Sequence, residues 1–288
     1  MAEHYEPLVE SISLLTELKD KQVEIRGVST GVPGLDEMFF TTRLENGRAV
    51  IQPLGGYPER AIIHLTGASE TGKSLIAEQF AIQQADLGNP IAFVTVESPA
   101  PFIVTALQQR AFQMGVNFSE IEGRIIIIDA ATYGSLRENL SVLFDTLAHA
   151  IKTYGVKNTV IDSVTGLYEA KEMMARQIVR SLFHFLKKWQ QTALFVSQKR
   201  SGHEELTAEA AGGFAISHIA DCTIVVVKHL ITSYYDARIY KRPLGEMVRL
   251  LRVDGCRMCG HDTDTHFLEI TPGGLVKIGP KLQEILVK

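Results

Sequence analysis

Gly67, Gly72, Lys73 and Ser74 stand in LTGASETGKSL (65–75) at the spacing G-x-x-x-x-G-K-S. Glycines at these two places let consecutive backbone N–H groups turn toward one phosphate, and a helix opening at Lys73 adds its positive end. Lys73 is then placed to reach the β- and γ-phosphates of a nucleoside triphosphate such as ATP, and the Ser74 hydroxyl to ligate Mg²⁺. The expected nucleotide cradle is Gly67, Ala68, Ser69, Glu70, Thr71, Gly72, Lys73, Ser74 and Leu75. A cradle of this kind needs a carboxylate for the metal's water shell, at the end of a neighbouring buried strand. Asp162 in NTVIDS suits that place, and Asp129 in IIIIDA is the second candidate at a similar strand end. Hydrolysis also needs a group that positions or deprotonates a water in line with the γ-phosphate; Glu97, closing AFVTVE, suits it.

A second chemical constellation lies in GCRMCGHDTDTH. Cys256, Cys259, His261 and His266 form a C-x-x-C pair followed by two histidines, a donor set suited to Zn²⁺. The spacing is compressed, and a plain reduced cysteine pair is the competing reading.

These residues need elements to hold them. Apolar runs at 61–66, 91–96, 124–129, 159–161, 193–197 and 222–227 read as buried strands, and helical stretches at 73–86, 101–113, 136–154 and 173–190 separate the first five. Solid apolar strands alternating with helices imply a mostly parallel sheet covered on both faces. After Ala193 no further helix is expected. The tail at 247–253, 266–271 and 275–278 reads as an antiparallel extension of the sheet. Asn46-Gly47 reads as a tight hairpin turn. Residues 7–21 place Leu8, Ile12, Leu15 and Leu18 at spacings of three and four, which predicts an amphipathic docking or capping helix. The expected organisation is an N-terminal helical segment over 1–26, one domain over 27–280 with a hairpin-like insertion at about 40–54, and a tail over 281–288.

The composition narrows the function classes. With 288 residues, 45% of them apolar, and a net charge of −4, the chain fits one globular domain and argues against strong non-specific nucleic-acid binding. The apolar runs are too short to cross a bilayer, and the acidic start MAEHYEPLVE does not read as a secretory signal. The three cysteines do not make a disulfide framework. A cytoplasmic setting without membrane contact is the expectation.

STGVPGLDEMF, GASETGKS, FVTVES, VIDSVTGL, FVSQKRSG, AGGFAISHIADCTIVV and the closing LLRVDG and HFLEITPGGLVKIGP together resemble the RecA-like ATPase domain of KaiC and its single-domain relatives, from about Gly27 to Pro280. The resemblance implies a RecA-like α/β P-loop fold, ATP with Mg²⁺, and a homo-oligomer, usually a hexamer, with ATP at subunit boundaries. It places Glu97 on the first of a pair of catalytic glutamates, whose second member is Ser98 here, so slow hydrolysis is expected. Asp162 falls on the metal-holding aspartate and Gln198 on a glutamine that senses the γ-phosphate. Arg252 falls on the first of two basic residues that reach a neighbour's ATP, and Asp254 on the second. Ser217, in Ser217-His218, falls on the first member of a phosphorylated pair, which raises an autokinase as a hypothesis.

The reading that follows is a nucleotide-dependent oligomeric switch acting through regulatory protein partners. A single-stranded-DNA-dependent recombinase or recombination mediator is the alternative from another class. Against it, KRSGHEELTAEA sets Glu204, Glu205 and Glu209 after Lys199 and Arg200 and offers no stacking aromatic. A nucleotide-binding scaffold that scarcely hydrolyses is a third reading, compatible with Ser98.

Overall fold

The apolar runs become strands and the stretches between them helices, in a computed structural model that describes residues 7–21, 24–198 and 215–286. The strands are β1 (Gly27–Val28), β2 (Phe39–Glu45), β3 (Arg48–Pro53), β4 (Tyr57–Pro58), β5 (Ile62–Gly67), β6 (Ile91–Thr95), β7 (Ile125–Asp129), β8 (Asn158–Asp162), β9 (Thr192–Gln198), β10 (Cys222–Leu230), β11 (Met247–Cys256), β12 (Gly260–His261), β13 (His266–Ile270) and β14 (Val276–Lys281). The α-helices are α1 (Lys73–Asp86), α2 (Ala100–Gln113), α3 (Phe118–Ile121), α4 (Ser135–Glu138), α5 (Leu140–Tyr154), α6 (Ala175–Lys188), α7 (Ala215–Ile219), α8 (Tyr234–Tyr240) and α9 (Leu282–Leu286).

One sheet runs in the order β14-β13-β11-β10-β5-β9-β8-β6-β7. From β10 to β7 every pairing is parallel. From β10 outward through β11, β13 and β14 every pairing is antiparallel, as the turn-rich tail predicts. Successive residues of a strand point to opposite faces, so each central strand feeds two cores. Ile63, Leu65, Phe93, Val160 and Leu194 pack with residues of α1 and α2 on one face. Ile62, Val94, Ile161, Ala193 and Phe195 pack with α5 and α6 on the other.

Helix α1 carries the phosphate motif at its start and is buried on nearly every side, polar Gln79 and Gln84 included. A helix wrapped all round shows no single apolar stripe. Gln79 satisfies its buried amide by donating to the Gly31 and Val276 carbonyls, at 3.0 and 3.1 Å, and by accepting from the Val276 N–H at 2.6 Å. The motif helix is thereby tied to β14 of the antiparallel edge.

Four expectations are corrected. Residues 7–21 form two 3₁₀ turns, Val9–Ser11 and Leu15–Lys21, with Leu8, Ile12 and Leu15 exposed. A short helix needs its apolar face packed to persist, and these side chains cover nothing in the described chain. The single helix expected over 136–154 breaks at Asn139, whose side chain accepts from the Ser141 N–H and starts α5 afresh. The IIII run is the sheet's edge strand, with only Ile128 fully buried among its isoleucines. Three short helices, α7, α8 and α9, follow Ala193, each too brief to show helical periodicity.

Asn46 and Gly47 take positive φ of 51° and 77°, the tight hairpin turn that joins β2 to β3. That hairpin gains a third strand, β12, in a separate small sheet ordered β12-β2-β3.

Candidate nucleotide site

Strand β5 ends at Gly67 and α1 begins at Lys73, so the loop between them turns at the carboxyl edge of the parallel strands. A Cβ on Gly67 would lie 2.2 Å from the Val226 carbonyl oxygen of β10, and Gly72 has a φ of 103°. Both positions therefore require glycine. Lys73 is only 6% exposed and donates to the Ala68 carbonyl at 2.6 Å and to Thr71 Oγ1 at 3.4 Å, folding back over its own loop. Lys228 of β10 pairs with Glu70 of the loop at 3.2 Å.

Asp162 ends β8, two strands from the loop, and accepts a hydrogen bond from the Ser74 hydroxyl. Burial pushes its carboxyl up to about 6; Ser74 opposes the shift, the Glu97 charge adds to it and the Lys73 charge opposes it. One turn past Ser74, Glu78 is buried against Arg110 of α2 at 3.0 Å. Burial outweighs that partner and lifts Glu78 to about 7, with the Asp162 charge also raising it.

Glu97 lies just beyond β6 and is held from two sides. Gln198 Nε2 donates to both of its carboxylate oxygens at 3.1 Å, and the Ser163 hydroxyl donates to Oε1. Gln198 is itself seated by its backbone N–H, which donates to Thr165 Oγ1 at 3.1 Å. A cavity of about 250 Å³ is lined by residues 69–75, Glu97, Asp162, Val196, Gln198 and Ile270. A larger cavity of about 470 Å³ opens at the opposite, amino edge of the sheet beside Asn158 and Thr192 and contains none of these groups. The smaller one is therefore the candidate site. A hydroxyl bonded to a carboxylate beside a buried lysine is an oxygen donor set that fits Mg²⁺, with Ser74 and Asp162 as the residues that would hold it.

The KaiC ATPase family model matches residues 28–283. The chain belongs to the KaiC-like ATPase family. A UPF0273 protein of Thermotoga maritima is 31% identical over 264 residues, covering 88% of this chain and 96% of the relative. One of Methanocaldococcus jannaschii is 31% identical over 274 residues, covering 91% and 100%. Among solved structures, a KaiC-like protein of Pyrococcus horikoshii superposes with a TM-score of 0.66 at 24% identity, over 89% of this chain and 100% of that one, a likeness of fold. KaiC-like membership supports ATP binding at the P-loop and a general ATPase activity. Among the described residues no helix is long and apolar enough to cross a membrane.

In this KaiC-like chain Lys73, Ser74, Glu97, Asp162 and Gln198 come together around one cavity. Arg252 does not join them. It sits on β11 opposite Val225 and pairs with Asp254 at 2.7 Å. Asp129 ends the edge strand and caps instead, accepting from the Ala100 and Thr132 N–H groups. The Ser217 hydroxyl lies 3.4 Å from Nδ1 of buried His64, away from the cavity lining, and family membership carries no support for an autokinase. The loop with Lys199, Arg200, Glu204, Glu205 and Glu209 lies outside the described residues.

The zinc expectation is corrected. His266 bonds Asp262 at 3.3 Å and the Gly279 carbonyl at 3.3 Å, and the backbone of His261 pairs with Phe39 in the small sheet. Among the described residues no three potential ligands are arranged for a metal ion. The strands draw the histidines off toward other partners, so spacing in sequence does not become convergence in space. Ser163, Thr165 and Ile270 are site residues that sequence reasoning missed. Ser163 directly follows Asp162, which was the available signal; Ile270 arrives through the antiparallel edge and gave none.

Proposed function

We propose that this chain hydrolyses ATP slowly and serves as a nucleotide-dependent oligomeric switch, a homohexamer with ATP at its subunit boundaries and protein partners that read its state. The observation that carries this reading is the Glu97–Gln198 pair at the mouth of the P-loop cavity. Glu97 is the general base: it takes a proton as the water oxygen attacks the γ-phosphorus and the bond to the β-phosphate oxygen breaks. Lys73 and the loop N–H groups hold the β- and γ-phosphates. When bound by Ser74 and Asp162, Mg²⁺ neutralises charge on the phosphate oxygens. Gln198 holds both Glu97 oxygens and also borders the cavity, so a γ-phosphate competes with Glu97 for its amide. That competition makes the base responsive to which nucleotide is present. Arg252 acts in trans, exchanging Asp254 for a neighbour's phosphate, a geometry its planar fork suits. With Ser98 in place of a second acid, only one carboxylate activates the water.

Steady-state ATP turnover with and without single-stranded DNA tests this, with Glu97→Gln as the control. The expected outcome is turnover that falls at least ~100-fold in the variant and ignores DNA. Strong stimulation by DNA would turn the reading to a recombinase, and no Glu97-dependent turnover would turn it to a nucleotide-binding scaffold.

A further inference from the structure

All three cysteines of the chain meet at one place, at the amino edge of the sheet and away from the nucleotide cavity. Cys222 opens β10, Cys256 closes β11, and the antiparallel register sets the two opposite each other beside a bulge between Thr223 and Ile224. The chain then turns back through Arg257 and Met258, so Cys259 Sγ comes within 3.5 Å of Cys256 Sγ. That separation is about 1.5 Å more than a disulfide bond length, a closure that a C-x-x-C turn can make with small side-chain rotations.

The donors around the three sulfurs are unequal. Cys256 Sγ stands between the other two thiols and beside the backbone N–H groups of Met258 and Cys259; either sulfur of the 3.5 Å Cys256–Cys259 contact can donate, and once Cys256 is ionised both neighbouring thiols donate to it. Four donors aimed at one sulfur stabilise its thiolate, pulling Cys256 well below the ordinary thiol range. Both donating thiols are held protonated, Cys222 first by its bond to Cys256 and then by burial, and Cys259 likewise. Exposure separates the roles further: Cys256 and Cys259 are half-buried, while Cys222 is fully buried and closed to a solvent oxidant.

We propose that Cys256 and Cys259 form a thiol oxidation site, in which Cys256 reacts with a hydroperoxide and Cys259 captures the product as a disulfide, with Cys222 as the buried thiol that positions and polarises Cys256. The Cys256 thiolate attacks one oxygen of hydrogen peroxide; the O–O bond breaks, the sulfur becomes a sulfenic acid, and the departing hydroxide takes a proton to leave as water. Cys259 sulfur then attacks Cys256 sulfur as its own proton departs. The S–O bond breaks, and hydroxide leaves with that proton as a second water. Two thiols lose two electrons and one peroxide gains them. The oxidised turn is the segment that leads β11 into β12, the strand paired to the hairpin of β2 and β3. A bond there makes that connection covalently rigid.

The test uses the full chain, reduced and freed of reductant, treated with a small excess of hydrogen peroxide, then alkylated and digested with trypsin. Cleavage after Arg257 puts Cys256 and Cys259 on different peptides, so their disulfide appears as a linked pair two hydrogens lighter than the free thiols. The expected result is that linked pair, with Cys222 recovered alkylated. In Cys259→Ser, a dimedone adduct accumulates on Cys256. In Cys222→Ala, the oxidation rate of Cys256 falls about tenfold as one thiolate donor is lost. Three fully alkylated cysteines after peroxide, a Cys222–Cys256 link, or a sulfenic acid trapped on Cys259 would each overturn the assignment. The wild-type map decides the matter even where a variant folds poorly.

Discussion

The P-loop and the cysteine turn lie at opposite ends of the same sheet, and each begins from a short signature in the chain. They differ in where their partners come from. The P-loop's donors are its own backbone and the helix it opens, and its acidic partners sit at the carboxyl ends of parallel strands, where β5, β6, β8 and β9 all point. The cysteine turn is completed by Cys222, thirty-four residues before Cys256, through antiparallel register alone. A motif that carries its own donors is legible from spacing. One completed by register draws its partners from wherever the sheet places them.

That contrast can be broken by chelation first. EDTA should abolish ATP turnover and added Mg²⁺ should restore it, while the melting temperature of the nucleotide-free protein stays unchanged because no metal staples the cysteine turn. A chelator-induced fall in melting temperature would return zinc to Cys256 and Cys259. Next, Lys73→Ala should lower turnover at least ~100-fold and weaken nucleotide binding while leaving Cys256 alkylation rates as they were. Coupled loss at both places would show the two ends to be one unit. Smaller still, Gln198→Ala should cost about tenfold in kcat with little change in KM, since it removes the group that orients Glu97 and meets the γ-phosphate without touching the phosphate loop. A matching loss in the affinity for ADP would make Gln198 a general binding residue and not a γ-phosphate sensor.

The smallest effect concerns stability. Glu78 has its folded pKa raised from 4.5 to about 7, so folding favours the protonated acid. No penalty exists below the unfolded value; it accumulates as pH rises from 4.5 and is complete above about 7. The melting temperature should therefore drop by a few degrees between pH 5 and pH 8, and Glu78→Gln should flatten that slope. An unchanged slope in the variant would assign the pH dependence to another group.

Much of the fold was readable because parallel strands covered on both faces leave solid apolar runs, and α1 was placed to its terminal residues by the motif at its start. Residues 7–21 carried a helical pattern without a surface to bury it, so periodicity alone misled. The IIII run read as buried because hydrophobicity does not distinguish an edge strand, partly covered, from its neighbours. Around the candidate cavity, Lys73, Ser74, Glu97, Asp162 and Gln198 could be brought together from the sequence because each ends or closely follows a strand or opens the helix. Ser163 and Thr165 could not, since their service is to hold Glu97 and Gln198 and small hydroxyl residues carry no mark of that duty.

Gln79 grips the backbone of Val276 from both its donor and its acceptor side while sitting two turns along the phosphate helix. The helix and the far strand therefore behave as a single strut. On the proposed switch, a tilt of α1 as its phosphate end fills or empties would swing β14 with it, and the rim of the sheet would be the lever arm by which a neighbouring molecule feels what occupies the loop.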